Sequence, residues 1–246
     1  MDRTVRIMEV ELNILDDEQL EEKVRKCFDN DYLNVILLAS QKLLFRAAES
    51  PEFRELLLRA DLILPGEEAL LSLHHGEELK KDGIIVNYRC LQGLLLAFQG
   101  EKKTVYTVSD SEQHIQLIEN FFRLFRSDMV LVGSASEADA TDESIINEIN
   151  SLAPDVLLVD MEVPKQEEWI MAHAALLNSK LCIGLGGVME LMITEYKQEP
   201  TWVSKLGLSR IYNALIRRNH YKRLRKEKSF QLRLHEYRRG KRGNNE

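Results

Sequence analysis

Short, nearly unbroken apolar runs recur along the chain: Val35 to Ala39, Asp61 to Leu64, Val105 to Val108, Met129 to Val132, Asp155 to Val159 and Leu181 to Leu185. Continuous runs of this length suit strands covered on both faces, as in a parallel sheet. Helical patterns fill the gaps between them. Behind Ser109 or Asp110, either of which can cap a helix, Ile115, Ile118, Phe122 and Phe125 fall three or four apart. A second such piece, Ser144 to Leu152, ends before Pro154. Val5 to Leu15 reads as a further strand region, and Asp16 or Asp17 can cap a charged helix running to about Cys27. Residues 66–93 are expected to form a helix, a turn at Lys81-Asp82-Gly83 and a short strand at Ile84 to Val86. Alternation of strand and helix predicts an α/β, Rossmann-like, mostly parallel sheet flanked by helices, with right-handed crossovers.

Composition narrows the class. The 246 residues are 44% apolar and 30% charged, with five Pro and twelve Gly, which excludes collagen-like, disordered and multispan membrane chains. No apolar run approaches the roughly 18 to 20 residues of a spanning helix, and no apolar stretch follows Met1-Asp2-Arg3-Thr4, so a cytoplasmic protein is expected. Cys27, Cys90 and Cys182 lie far apart, in neither a metal-binding nor a redox spacing, and are read as free thiols. The six histidines, His74, His75, His114, His173, His220 and His235, show no metal spacing, so neither metal nor cofactor is expected.

Charge is divided unevenly. Residues 217–246 carry twelve Lys or Arg against three Glu, a charge of +9, and the overall −7 leaves −16 for the rest. The break near Pro200-Thr201-Trp202 suggests a body over residues 1–205 and a basic amphipathic appendage over 206–246. Within the appendage Leu208, Ile211, Tyr212 and Leu215 share one helical face, followed by Arg217, Arg218, Lys222, Arg223 and Arg225. A basic helix of this kind suits an anionic membrane surface. The acidic body and the scarcity of aromatics in the tail argue against nucleic acid.

The segment from Pro154 to Trp169 concentrates the candidate chemistry. A strand that ends in a turn and then a helix delivers its polar residues to the carboxyl edge of a parallel sheet, where open α/β folds bind ligands. Lys165, Gln166 and Glu167 stand at that helix start, beside backbone N–H groups suited to a phosphate. Gly186 and Gly187 close the next strand and let a ligand approach the backbone. Residues 103–200 also resemble response-regulator receiver domains, which would make Asp160 a phosphoacceptor with Mg²⁺ held by acids such as Asp110 and Glu112.

Taken in order, the strand at Val35, Ser50-Pro51-Glu52-Phe53-Arg54, Ala60-Asp61-Leu62-Ile63-Leu64-Pro65, Pro164-Lys165-Gln166-Glu167-Glu168-Trp169-Ile170, Gly186-Gly187, Pro200-Thr201-Trp202 and Gly207-Leu208 resemble the WecB/TagA/CpsF family of bacterial glycosyltransferases. The resemblance spans most of residues 30–210. It implies transfer of an N-acetylmannosamine-type or related sugar from a UDP-sugar to a sugar linked to a polyprenyl diphosphate. The work would take place at the inner membrane face, with the basic appendage on the bilayer, in cell-surface polysaccharide synthesis. Where the family carries Pro-Asp-Gly, whose Asp is the proposed base, this chain has Pro65-Gly66-Glu67-Glu68, leaving Glu67 or Glu68 as the carboxylates for that role. Ser40 replaces the family's Asn, Glu190 its Asp after the paired glycines, and Arg89 falls near its Arg. The implied binding set is Ser40, Arg89, Lys165, Gln166, Glu167, Gly186, Gly187 and Glu190. A relative that has lost turnover and serves an active transferase as partner or regulator is the alternative, and a homo-oligomer fits either.

Overall fold

A computed structural model of the chain describes residues 3–71, 84–87, 89–124, 128–188, and 232, 233 and 236. Contacts divide the chain into two units, Met1–Glu190 and Leu191–Glu246, and the sheet with its helices belongs to the first. Glu190 and the basic residues Arg217, Arg218, Lys222, Arg223 and Arg225 lie outside the described residues.

The expected N-terminal strand region is a hairpin, β1 (Arg3–Ile7) against β2 (Val10–Ile14), antiparallel in register Ile7↔Val10. Its two-residue turn places Met8 and Glu9 at positive φ (48° and 72°), the mirror-image turn whose twist matches paired strands. Helix α1 (Asp17–Lys26) follows, fixed by a capping box between Asp16 and Gln19.

All six apolar runs form strands: β3 (Asn34–Ala39), β4 (Leu62–Pro65), β5 (Thr104–Ser109), β6 (Val130–Ser136), β7 (Val156–Asp160) and β8 (Leu181–Gly184). They make one parallel sheet in the order β4-β3-β8-β7-β5-β6. The central strands are sealed on both faces, as their continuous apolar character requires. Every residue of β3, β7 and β8 is buried, and Ile36, Leu37, Leu38, Leu157 and Leu158 have no exposure. Burying side chains of this size contributes about 1.5–3 kcal/mol each. The partial order β6-β5-β7-β8 is the doubly wound order of flavodoxin-like sheets, which accounts for the receiver-like look of residues 103–200.

Among the described residues the helices are α2 (Gln41–Glu49), α3 (Pro51–Leu57), α4 (Glu68–Leu71), α5 (Arg89–Ala97), α6 (Glu112–Leu124), α7 (Asp142–Leu152) and α8 (Lys165–His173), besides α1. Two of them depart from expectation at their starts. Asp110 does not cap α6: its carboxylate accepts the Glu162 N–H at 3.0 Å, and the first turn closes on the Ser111 carbonyl. Helix α7 begins two residues before Ser144, because the Thr141 hydroxyl accepts the Ser144 N–H. Ile84 to Val86 is buried but forms no ladder; Ile85 N–H donates to the Leu15 carbonyl at 2.7 Å. No helix among the described residues is long and apolar enough to cross a membrane.

Candidate active site

The carboxyl ends of the parallel strands gather the residues of interest. After β3, Ser40 caps α2: its hydroxyl accepts the Leu43 N–H at 3.3 Å, and the residue is 4% exposed. One acceptor site of this hydroxyl is thus used by the helix start, and its O–H donor is a separate capacity. After β4, Gly66 donates its N–H to the Ala39 carbonyl at 2.8 Å. A Cβ built at Gly66 would lie 2.7 Å from that same oxygen, closer than real Cβ contacts, so the backbone path has no room for a side chain.

The next residue takes up a defined position. Glu67 is half-buried, and its carboxylate accepts from Gln41 twice, from Nε2 at 2.7 Å and from the backbone N–H at 3.4 Å. A carboxylate at the first N–H of α2 is favoured by the helix dipole. Glu68, at the start of α4, is exposed. The structure thus separates the two acids that sequence left equivalent. The Arg89 guanidinium donates to Asp17 at 2.9 Å and to the Ile84 carbonyl at 3.2 Å.

At the start of α8, where the sequence placed Lys165, Gln166 and Glu167, the three side chains differ in exposure. Lys165 is about half exposed and pairs with Glu137. Gln166 and Glu167 have no exposure at all. Gln166 Nε2 donates to Glu167 Oε1 at 2.8 Å, and Gln166 Oε1 accepts the Gly186 N–H at 2.9 Å. Gly184 fits against this amide, since a Cβ there would stand 2.8 Å from Gln166 Nε2. Gln166 is thus a strut that sets the turn after β8. The other carboxylate oxygen of Glu167, Oε2, is buried without a hydrogen-bond partner. Burial pushes the Glu167 carboxyl up to about 7, against the smaller opposing effect of its hydrogen bonds.

The turn itself needs both glycines. Gly186 and Gly187 have φ of +60° and +80°, and a Cβ at Gly186 would meet the Leu38 carbonyl at 2.4 Å. At Gly187 a Cβ would meet nothing within 4 Å, so among the described residues there is space beside this glycine at the carboxyl edge of the sheet. Beside it stands a pair that sequence reasoning did not join. Asp160, at the end of β7, is 1% exposed and has Oδ2 3.0 Å from Nδ1 of His114. Adjacency of β5 and β7, with Ser109 opposite Asp160, brings the two together. Only strand order reveals this, since the two residues are far apart along the chain.

The glycosyl transferase WecG/TagA/CpsF family model matches residues 5–243. The chain is similar to an N-acetylglucosaminyldiphosphoundecaprenol N-acetyl-beta-D-mannosaminyltransferase from Staphylococcus aureus (strain MRSA252), 36% identical over 104 residues, which is 42% of this chain and 40% of that relative. It is 25% identical over 232 residues to the protein of that name from strain NCTC 8325 / PS 47, covering 91% of this chain and 88% of the relative. With its parallel sheet, glycine turn and Pro-Lys-Gln-Glu helix start in place, the chain belongs to the WecG/TagA/CpsF family of glycosyl transferases.

Proposed function

We propose that the chain transfers an N-acetylmannosamine-type sugar from a UDP-sugar to a sugar carried on a polyprenyl diphosphate, a step in cell-surface polysaccharide synthesis. The observation that carries this reading is the open Gly186–Gly187 turn on the strands' carboxyl edge, with the half-buried Glu67 carboxylate on the same edge. The relatives' name supplies the sugar and the acceptor class. The reaction is a direct displacement. An acceptor hydroxyl attacks the anomeric carbon, Glu67 takes its proton, and the bond to the diphosphate oxygen breaks with the electron pair leaving on UDP. Gln41 orients Glu67, and the exposed Glu68 has no part in the step. Gly186 and Gly187 admit the diphosphate, with Gln166 and Glu167 holding the turn rather than touching ligand.

Arg217, Arg218, Lys222, Arg223 and Arg225 would hold the chain on an anionic leaflet, at about 1 kcal/mol per basic residue near the surface. A second reading, a non-catalytic partner of an active transferase, draws on the absence of room for a side chain at Gly66. Thermal-shift titration with UDP and UDP-N-acetyl sugars tests the first reading, because a ligand at 100 times its Kd stabilises the folded state by about 2.7 kcal/mol. No shift with any uridine diphosphate compound contradicts it.

A further inference from the structure

The glycine turn after β8 sits between two strand ends that a charge pair joins. β8 runs between β3 and β7. A Cβ at Gly186 would stand 2.4 Å from the Leu38 carbonyl of β3, and the Gly187 N–H faces Oδ1 of Asp160, the last residue of β7, at 3.4 Å. Beyond Leu38, in the first turn of α2, stands Lys42; just beyond Asp160 stands Glu162. Lys42 Nζ donates to Glu162 Oε1 at 3.2 Å. At about 4.8 Å per strand the ends of β3 and β7 are roughly 10 Å apart. The pair therefore reaches across the end of β8, where the chain turns through Gly186 and Gly187.

This link is easily exchanged. Its side chains are 62% and 77% exposed, and an ion pair in that much water contributes little to stability. The lysine at the start of α8, Lys165, pairs instead with Glu137, whose side chain is 18% exposed and so more shielded from competing water. Glu162 is also held through its backbone, whose N–H donates to the Asp110 carboxylate at 3.0 Å, so its place does not depend on Lys42. A diphosphate arriving here comes upon Asp110, Asp160 and Glu162 around the end of β7, an acidic setting in which an anion needs a cation turned toward it.

Resting on the transferase reading, we propose that Lys42 is the cation that holds the donor's diphosphate, parting from Glu162 as the sugar nucleotide settles on the Gly186–Gly187 turn and returning to it when UDP leaves. Glu162 is then the resting partner that the ligand must outcompete. A diphosphate spreads more negative charge over more oxygens than a single carboxylate and is the stronger partner for an ammonium. UDP carries more negative charge than the UDP-sugar it leaves, so the same contact strengthens as the bond to the anomeric carbon breaks.

UDP binding to the full chain, measured by calorimetry at low salt, tests this with Lys42→Ala, Lys42→Arg, Glu162→Gln and the double variant Lys42→Ala/Glu162→Gln. Circular dichroism checks folding, and ligand-observed NMR follows uridine, which lacks the diphosphate. Lys42→Ala is expected to lose about tenfold or more in UDP affinity, and Lys42→Arg less, since a cation remains. Glu162→Gln should gain about threefold, because Lys42 no longer has to leave a carboxylate, and that gain should vanish in the double variant. Uridine binding should be the same throughout. Unchanged UDP affinity in Lys42→Ala, or no gain in Glu162→Gln, overturns the assignment alone; equal losses in the two would mark a strap that merely joins two strand ends. A Glu162→Gln gain that persists in the double variant also overturns it, as a general effect of charge. Failure of the wild type to bind UDP overturns it together with the transferase reading.

Discussion

Replacing Glu167 by Gln tests the description of the α8 start most sharply. Glu167 is fully buried, one of its oxygens has no partner, and its carboxyl is pushed from an ordinary 4.5 to about 7. Between those two values the folded chain holds a proton that the unfolded chain has released. Stability from this group is therefore complete below about pH 4.5, falls as pH rises through the window, and is lost above about pH 7. At about 1.4 kcal/mol per pH unit the full loss is about 3 kcal/mol. Gln keeps the acceptor for Gln166 Nε2 and carries no charge at any pH. The variant should match wild type near pH 4.5 and exceed it by up to about 3 kcal/mol at pH 8. Urea unfolding from pH 4.5 to 8.5 measures the difference, and effects of other titrating groups cancel between the two proteins. Trp169, two residues away and 5% exposed, is the reporter in a Trp202→Phe background. A difference that does not vary with pH, or a wild type that is the more stable at pH 8, refutes the reasoning.

Three further outcomes are expected of the same structure. Gly66→Ala, which places a Cβ 2.7 Å from the Ala39 carbonyl, should destabilise by about 1–3 kcal/mol in thermal melts, and Gly66→Asp should fail to raise activity despite restoring the family residue. Gln166→Ala removes the acceptor for Gly186 N–H and the donor to Glu167, and should cost about 1–3 kcal/mol while weakening UDP binding through a loosened turn. The thiols of Cys27, Cys90 and Cys182 are all buried; burial pushes Cys27 to about 11, Cys90 to about 12, and Cys182 higher still. All three should resist a disulfide reagent at pH 8 until the chain is unfolded, and rapid native labelling of any one would contradict its burial.

Much of the fold is legible in the sequence because a two-face-covered strand must be apolar throughout. Val35 to Ala39 and Asp155 to Val159 therefore announce β3 and β7 within a residue. Helix starts are read less well. Asp110 looks like a cap, yet a strand end 52 residues away offers its carboxylate the Glu162 N–H instead. The family motif falls at the carboxyl edge of the sheet, but the direction its side chains take is not written in it. Gln166 and Glu167 look like ligand groups by their place at a helix start, and their inward orientation follows from packing against Gly184 and Gly186. The His114–Asp160 pair depends on β5 and β7 being neighbours, a fact of topology that no local pattern carries.

Sugar transfer at this carboxyl edge with Glu67 as base, as proposed, is open to direct measurement. The direct measurement is UDP release from UDP-N-acetylmannosamine in the presence and absence of a polyprenyl-diphosphate-linked N-acetylglucosamine acceptor, for wild type and Glu67→Gln. Acceptor-dependent release by wild type is expected, with a fall of about a hundredfold or more in the variant, the usual contribution of a general base. A wild type that binds UDP but releases none with acceptor present, or a Glu67→Gln variant as active as wild type, contradicts it.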